Sequence, residues 1–333
     1  MVDFDRFCMS LAIEEAWKYQ GLTYPNPAVG AVVVKNGKIF SIAAHKKAGE
    51  PHAEVLAIKE AYYKLSKDEN ILKFTDSKDI HEYLYKNSKD IFKDSTIYVT
   101  LEPCNHFGKT PPCSHLISKL KFKKVVISIK DPNKKASGGI EYLKKNRIDV
   151  KVGVLEKEGK KLIEPFVKWS KDRFIFFKLA QTINGVIAPG VISSLKSREY
   201  VHRLRDRIDL LVIGGNTVRV DRPTLDSRLI GGKNPDVLIY SKEKKFDKSI
   251  PLFNVKNREV FIEDSFEKLK NYKFIMIEGG EGMLKATKDL VDWYLFFISP
   301  KIKSGKQYSL DLELNILNQQ KIDKDLLIWS DNG

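Results

Sequence analysis

The sequence predicts a protein of two α/β domains, and three observations support this prediction. The chain has 333 residues, more than the roughly 100–200 residues of a usual single domain. Short apolar runs alternate with segments of helical periodicity in both halves, a pattern typical of layered α/β folds. Hydrophobic residues make up 42% of the chain without a long uninterrupted apolar run, which favours globular domains over membrane spans.

Composition and charge narrow the class of partner. The formal net charge of +15 is compatible with nucleic acid or with anionic small molecules. The lysines are spread along the chain among acids, as in "KNSKDIFKDS", and no arginine-rich run interleaved with aromatic residues is present. We therefore expect no nucleic-acid partner. The N-terminus lacks a signal-peptide layout, and three cysteines cannot all pair, so a reducing, cytoplasmic location is expected.

The first half is predicted to form a largely parallel sheet flanked by helices. Residues 1–20 have the periodicity of an amphipathic helix that ends near Gly21, and its predicted apolar face comprises Phe4, Phe7, Cys8 and Leu11. Asn36-Gly37 between two apolar runs is typical of a type I′ hairpin. Further predicted elements are helices in "PHAEVLAIKEAYYKL", "SHLISKLK" and "GGIEYLKKNR", and strands in "STIYVTL", "KKVVISI" and "DVKVGVL". The charged residues 64–95 are predicted to be a surface insertion.

A second α/β series is predicted for residues 171–333, after a linker over residues 148–170. The predicted strands are "FIFFKLAQTI", "DLLVIGG", "DVLIYS", "REVFIE", "FIMIEGG" and "DWYLFFISPKI", and the predicted helices are "SREYVHRLRDR" and "GMLKATKDL". The first domain is accordingly assigned to residues 1–147.

Two distant segments together have the pattern of a metal site. "GEPHAEVLA" places His52 two residues before Glu54, and "LEPCNHFGKTPPCSH" separates Cys104 from Cys113 by eight residues. One imidazole and two thiolates would give Zn²⁺ three ligands and leave a fourth tetrahedral position for water, as in catalytic zinc sites. Each pattern alone has an ordinary explanation, because a His-x-Glu pair commonly begins a solvated helix and free cysteines are mostly buried apolar residues. Together they predict zinc.

Glu54 is expected to act on the water and not to bind the metal. Positions two apart on a helix face different directions, so Glu54 is not expected to coordinate beside His52. From the first helical turn its carboxylate could take the proton of the water and deliver it to a leaving amine. Such proton transfer accelerates a reaction by roughly 10²–10⁴-fold. His106 and His115 compete as ligands by residue type. We expect His115 to be structural and Cys8 to lie in the core.

These motifs resemble those of the zinc-dependent nucleobase deaminases, in which H-x-E is followed by P-C-x-x-C. The longer cysteine spacing here, together with "YPNPAVG", "AAHKKAGEPHAE" and "DPN", is similar to the deaminase half of the bifunctional riboflavin biosynthesis deaminase-reductases. The resemblance implies a cytidine-deaminase-like three-layer domain in which Glu54 is the acid–base catalyst.

The same resemblance implies a phosphorylated pyrimidine as the substrate of this domain. The expected reaction is hydrolytic removal of the 2-amino group of 2,5-diamino-6-ribosylamino-4(3H)-pyrimidinone 5′-phosphate. Asparagine offers both a donor and an acceptor to a heterocycle edge, and lysine supplies a point charge for a phosphate. The implied substrate contacts are Asn26, His45, His106, Lys109, Asp131 and Asn133.

The residues of the second half give a weaker signal on their own. "VIGGNTV" and "MIEGGEGML" place glycine pairs directly after apolar strands, where glycine allows the backbone to approach a pyrophosphate. Such pairs are also common in ordinary turns. With "KLAQTINGVIA" and "GGNTVRVDRPTLDSR", they resemble the reductase half of the same family, which implies a dihydrofolate-reductase-like domain using NADPH. The implied cofactor contacts are Ala180, Thr217, Asp221, Gly280, Glu281, Gly282, Met283, Leu284, Lys285 and Ala286.

The implied reductase would transfer hydride to C1′ of the ribosyl group, with Lys178 as catalytic residue. Its implied substrate contacts are Arg205, Leu225, Arg228 and Glu278. Guanidinium groups can clamp a phosphate bidentately, although Arg205 in "HRLRDR" is equally explained as a solvated helix face. Asn184 stands where the family usually has aspartate, and the loop "APGVISS" is short and lacks the tryptophan expected near a nicotinamide.

Two other functions remain open from the sequence alone. A tRNA adenosine deaminase with an accessory domain would suit the basic charge, but not the long cysteine spacing or the glycine turns. A zinc module without catalysis would need a fourth protein ligand, for which His106 is the candidate. We favour the bifunctional enzyme, and expect a homo-oligomer that acts on a small molecule and has no membrane partner.

Overall fold

The computed structural model describes residues 3–108, 110–133, 136–188 and 190–333. The chain divides into two compact units, Met1–Val167 and Lys168–Gly333, and each unit has its own sheet. No helix among the described residues is long and apolar enough to cross a membrane.

The described part of the first unit contains one five-stranded sheet and seven α-helices. The last of these helices runs past the division between the units. These elements are α1 (Phe4–Trp17), β1 (Gly30–Lys35), β2 (Lys38–Ala44), α2 (Ala53–Ser66), α3 (Ser77–Asn87), β3 (Ser95–Leu101), α4 (Cys113–Lys119), β4 (Lys124–Ile129), α5 (Gly139–Lys145), β5 (Asp149–Val152), α6 (Glu156–Leu162) and α7 (Glu164–Lys171). The strand order is β2-β1-β3-β4-β5. Strand β1 is antiparallel to β2 and β3, whereas β3, β4 and β5 are parallel. The sheet is therefore mixed: four of its strands run in one direction, and the expectation of a largely parallel sheet was wrong for β1, which runs opposite to them.

The predicted hairpin is confirmed at the turn between β1 and β2. Lys35 pairs with Lys38 across the turn, and Asn36 and Gly37 have φ angles of 50° and 72°. Positive φ at both central residues is what a type I′ turn requires.

Helix α1 buries a different face from the predicted one. Cys8 is fully buried as expected, but Phe4 and Phe7 are 43% and 44% exposed. The buried positions are Cys8, Met9, Ala12, Ile13, Ala16 and Trp17. Small residues on this face permit close packing on the sheet: a side chain at Gly30 in β1 would collide with the Ala12 carbonyl.

Residues 64–95 were predicted to be a surface insertion, and this was wrong. They contain the end of α2, a short 3₁₀ helix (Glu69–Lys73) and α3. Four of their apolar side chains are fully buried in the core of the unit, namely Ile71, Ile80, Leu84 and Phe92. The charged side chains of the segment lie on its outer face, and their number led to the wrong prediction from the sequence.

The predicted linker is also structured. Strand β5 pairs in parallel with β4, and Leu162 and Ile163 after it are buried. The division between the units falls within α7, between Val167 and Lys168, inside the predicted range 148–170.

The second unit contains an eight-stranded sheet. Its elements are β6 (Phe174–Thr182), α8 (Leu195–Arg205), β7 (Leu210–Gly214), α9 (Gly215–Asp221), β8 (Asp236–Tyr240), β9 (Val260–Glu263), β10 (Phe274–Glu278), α10 (Glu281–Thr287), β11 (Trp293–Ser299), β12 (Leu314–Ile322) and β13 (Asp325–Asn332). The strand order is β12-β13-β11-β6-β10-β7-β8-β9. The six strands from β11 to β9 in this order are parallel, and β12 and β13 form an antiparallel hairpin at one edge. The carboxyl ends of the parallel strands meet at one edge of the sheet, where ligands bind in open α/β folds.

Candidate active sites

Three elements of the first unit bring the predicted metal ligands together. His52 immediately precedes α2, Cys113 is the first residue of α4, and Cys104 follows β3. The Nδ1 atom of His52 lies 3.4 Å from Sγ of Cys113 and 3.7 Å from Sγ of Cys104. All three ligand atoms lie within 4.8 Å of one another.

These distances fit a tetrahedral zinc ion. Zinc bonds of about 2.3 Å to sulfur and about 2.0 Å to nitrogen at tetrahedral angles put the two ligand atoms about 3.5 Å apart. Within the described residues the cluster holds three side chains, and the competing candidates His106 and His115 are not among them. His115 stacks on Tyr142 with ring centroids 4.2 Å apart, which gives it the structural role that was expected.

The two thiol groups are electrostatically different. Hydrogen bonding from Cys113, together with the neighbouring His52, lowers the pKa of Cys104 to about 4. The backbone N–H of Cys113 also donates to Cys104 Sγ at 3.4 Å. The lowered pKa of Cys104 favours its thiolate, the form that binds a metal.

Glu54 lies in the first turn of α2, beside the ligand cluster. It is 4% exposed and lines a cleft of about 510 Å³ together with His52 and Cys104. Burial raises the pKa of Glu54 to about 7, against the opposing charge of His52. A carboxyl group with a pKa near neutrality can both accept and donate a proton, as an acid–base catalyst must.

Asn26 and His45 form a hydrogen-bonded pair in the wall of the same cleft. His45 Nδ1 lies 3.1 Å from the Pro51 carbonyl, and its Nε2 lies 3.1 Å from Asn26 Nδ2. A carbonyl can only accept, so Nδ1 carries the hydrogen and Nε2 accepts from the Asn26 amide. Burial lowers the pKa of His45 to about 4, so the ring stays neutral. The pair fixes the Asn26 amide and leaves its oxygen to accept from a ligand.

The cleft also contains three other predicted substrate contacts, His106, Asp131 and Asn133. Asp131 Oδ1 accepts from the backbone N–H of Asn133 at 2.8 Å, and burial raises the pKa of Asp131. Lys109 lies outside the described residues.

The sequence interpretation assigned no role to Glu102 or Phe166, which line the same cleft. A signal for Glu102 was present, since a carboxylate directly after an apolar strand and before Pro103-Cys104 has to lie near the metal ligands. No comparable signal marked Phe166, because it belongs to the segment predicted to be a linker.

In the second unit, three charged side chains meet at the carboxyl end of the parallel strands. Lys178 of β6 is the register partner of Glu278 at the end of β10. Arg205, the last residue of α8, donates to both carboxylate oxygens of Glu278, at 3.0 and 3.1 Å. Burial lowers the pKa of Lys178, and the charge of Glu278 opposes this. Burial alone would raise the pKa of Glu278, but Arg205 and Lys178 together lower it.

The two predicted phosphate-binding arginines differ in availability. The side chain of Arg205 is 11% exposed and forms an ion pair with Glu278. The alternative explanation of Arg205 as part of a solvated helix face was therefore wrong. The side chain of Arg228 is 60% exposed and forms one ion pair, to Asp226 at 2.7 Å. Leu225, between these arginines in sequence, is buried. A phosphate would thus meet Arg228 more readily than Arg205.

The glycine turns at this edge serve two purposes. A side chain at Gly214 or Gly279 would collide with Met283, so these glycines are required for packing. Gly282 has open space where a side chain would lie, and at Gly280 the nearest atom is 3.8 Å away. The backbone there is accessible to a bulky ligand, which fits a dinucleotide.

The remaining predicted cofactor contacts lie on α10, α9 and β6. Met283 and Leu284 pack their side chains into the core of the unit, so they can border a ligand only through their backbone. Glu281 and Lys285 pair with each other on α10, and Ala286 is exposed. Thr217 and Asp221 lie on α9, directly after β7, and Ala180 lies on β6.

Asn184 ties the short loop after β6 to the segment after β11. Its Oδ1 accepts from Thr182 Oγ1 at 2.7 Å, and its Nδ2 donates to the Lys303 carbonyl at 2.8 Å. An aspartate could not donate the second bond, so asparagine suits this loop structurally.

Comparisons with known proteins agree with this geometry. The family profile described as cytidine and deoxycytidylate deaminase zinc-binding region matches residues 2–129, and the profile of the RibD C-terminal domain matches residues 173–313. Riboflavin biosynthesis protein RibD of Aquifex aeolicus is 35% identical over 340 aligned residues, covering 90% of this chain and 88% of that protein. The chain belongs to the riboflavin biosynthesis deaminase-reductase family. It is a bifunctional enzyme, a hydrolase and an oxidoreductase.

Two further relatives support this assignment, one over about half of the chain and one over nearly all of it. Diaminohydroxyphosphoribosylamino-pyrimidine deaminase of Buchnera aphidicola subsp. Schizaphis graminum is 42% identical, covering 49% of this chain and 94% of that protein. The crystal structure of a diaminohydroxyphosphoribosylaminopyrimidine deaminase/5-amino-6-(5-phosphoribosylamino)uracil reductase from Thermotoga maritima has a TM-score of 0.65 and 30% identity, covering 99% of both chains. The predicted cytidine-deaminase-like and reductase folds are thereby confirmed. The deaminase domain and its ligand cluster indicate zinc, and the reductase domain implies a nicotinamide cofactor.

Proposed function

We propose that the first unit deaminates 2,5-diamino-6-ribosylamino-4(3H)-pyrimidinone 5′-phosphate and that the second unit reduces the ribosyl group of the product with NADPH. One observation carries the deaminase assignment: the His52–Cys104–Cys113 cluster and the buried Glu54 line or border one cleft that is large enough for a pyrimidine.

In the first unit, each residue contributes one task. His52, Cys104 and Cys113 would hold zinc, which when bound makes a water nucleophilic at neutral pH. Glu54, with its pKa near neutrality, takes a proton at its carboxylate and returns it to the departing amine. The Asn26 amide, held by His45, orients the heterocycle edge. His106, Asp131, Asn133 and Lys109 are the proposed contacts to the remainder of the substrate.

In the second unit, the proposed substrate site lies around Glu278. NADPH would supply the hydride, and the accessible backbone at Gly280 and Gly282 would let its pyrophosphate approach. Lys178 orients the ribose, while Arg205 fixes the carboxylate of Glu278 beside it. Arg228 binds the phosphate.

The domain assignment follows the division of the chain. We assign deamination to residues 1–167 and reduction to residues 168–333, in place of boundaries at 147 and 171. Assembly as a homo-oligomer and a cytoplasmic location remain predictions.

Two assays on the purified protein test the proposal. With the diaminopyrimidine phosphate and no NADPH, ammonia should be released; addition of NADPH should then start NADPH consumption. Because the loop near residue 190 is short, the deaminated pyrimidine phosphate should also be supplied directly with NADPH. Absence of NADPH consumption in that assay would contradict the reductase assignment and leave the deaminase assignment intact.

A further inference from the structure

Glu102 holds a segment of the deaminase cleft in place through three backbone hydrogen bonds. It is 5% exposed and directly follows β3. Its Oε1 accepts from the N–H groups of Gly138 at 2.9 Å and Ile140 at 3.1 Å, and its Oε2 accepts from the N–H of Asp131 at 3.1 Å. A carboxylate is suited to this arrangement because both of its oxygens are acceptors.

Two more contacts dock the same segment on the residues around Cys104. The backbone N–H of Asn105 donates to the Ala136 carbonyl at 3.1 Å. A side chain at Gly139 would lie 1.9 Å from the Pro103 carbonyl oxygen, so the start of α5 touches the backbone beside the metal ligand. Asp131 and residues 136–140 are therefore fixed to residues 102–105.

We propose that Glu102 is a positioning residue for the deaminase, which places Asp131 and Asn133 at the correct distance from the metal ligands. This inference rests on the proposed substrate site, because it requires both residues to contact the pyrimidine phosphate. Glu102 touches neither the metal nor the reacting atoms in this scheme. Its loss should therefore weaken substrate binding more than it slows the chemical step.

The decisive variant is Glu102→Gln in the full chain. Glutamine keeps the size of the side chain but has one acceptor oxygen, so its NH₂ group must face at least one N–H donor. We expect KM for the diaminopyrimidine phosphate to rise about ten-fold, the effect of one lost hydrogen bond to a charged group, with kcat little changed and zinc content retained. NADPH consumption with the deaminated substrate should stay at the wild-type value.

Ser128→Ala is the matched control, since the fully buried Ser128 donates a hydrogen bond at 2.9 Å to the carbonyl of Leu155, a residue outside the segment that Glu102 holds. Its KM should equal that of the wild type.

If Glu102→Gln loses zinc or fails to fold, KM and kcat are measured on Glu102→Asp instead, because its carboxylate is one methylene too short to reach all three donors. A raised KM with unchanged kcat supports the proposal, and a wild-type KM overturns it. A wild-type protein that releases no ammonia would instead remove the proposed function itself.

Discussion

At the scale of single residues, Glu54 has the most direct test. Glu54→Gln removes the proton acceptor while leaving the three metal ligands unchanged. We expect zinc content to be retained and ammonia release to fall by roughly 10²–10⁴-fold, as measured on the diaminopyrimidine phosphate. Glu50→Gln is the matched control, because Glu50 is an exposed carboxylate at the same cleft and its loss should change the rate little. An active Glu54→Gln enzyme would refute the acid–base role.

The metal ligands could be predicted from the sequence because zinc binding requires imidazole and thiolate groups, and histidine and cysteine at characteristic spacings are recognisable there. His52, Cys104 and Cys113 are all brought together at one cluster. The hydrogen bonds that support them could not be predicted in the same way. The three amides around Glu102 lie 29, 36 and 38 residues away along the chain, and their approach depends on how β3, β4 and α5 pack.

At the scale of elements, Asp5 joins α1 to three neighbouring strands. Its carboxylate accepts from Tyr98 Oη at 2.9 Å, Lys124 Nζ at 3.0 Å and Lys151 Nζ at 2.8 Å. Burial alone would raise the pKa of Asp5, but these hydrogen bonds lower it to about 2. Since the folded-state pKa is below the unfolded value, the network stabilises the protein above about pH 4, and this contribution is lost as the pH falls toward 2.

Asp5→Asn should therefore lower the free energy of unfolding near neutral pH by about 1–2 kcal/mol. The difference from the wild type should shrink between about pH 4 and pH 2, as followed by denaturant unfolding at each pH. Asp90→Asn is the control, because Asp90 and its partner Lys121 are 63% and 66% exposed and should contribute little. A pH-independent difference for Asp5→Asn would mean that the charge network is not its cause.

Apolar periodicity predicted most of the helices and strands. It failed where a helix has apolar residues on two sides and where an edge strand is mostly polar. Strands β6, β7, β8 and β10 have nearly continuous apolar runs because both faces of a parallel sheet are covered. Helix α1 has apolar residues on two sides, and periodicity alone could not tell that Phe4 and Phe7 stay exposed. The C-terminal hairpin of β12 and β13 was missed, since β12 lies at an edge and carries polar residues along most of its length.

At the scale of the whole molecule, the two activities should be separable by single substitutions. Glu278→Gln removes the charge that Arg205 and Lys178 share, and should slow NADPH consumption by roughly 10²-fold without affecting ammonia release. Glu54→Gln should do the reverse. A mixture of the two variants should convert the diaminopyrimidine phosphate to the reduced product, as measured by both assays. Failure of the mixture, with each single activity intact, would show that both sites must lie on one chain.

The central claim is that zinc is held by His52, Cys104 and Cys113 with one position free of protein ligands. X-ray absorption at the zinc edge, together with metal analysis of the purified protein, tests it most directly. We predict one zinc per chain bound by two sulfur atoms, one imidazole nitrogen and one oxygen from solvent. A protein without stoichiometric zinc, or a zinc ion with a fourth ligand from a protein side chain, would contradict the account.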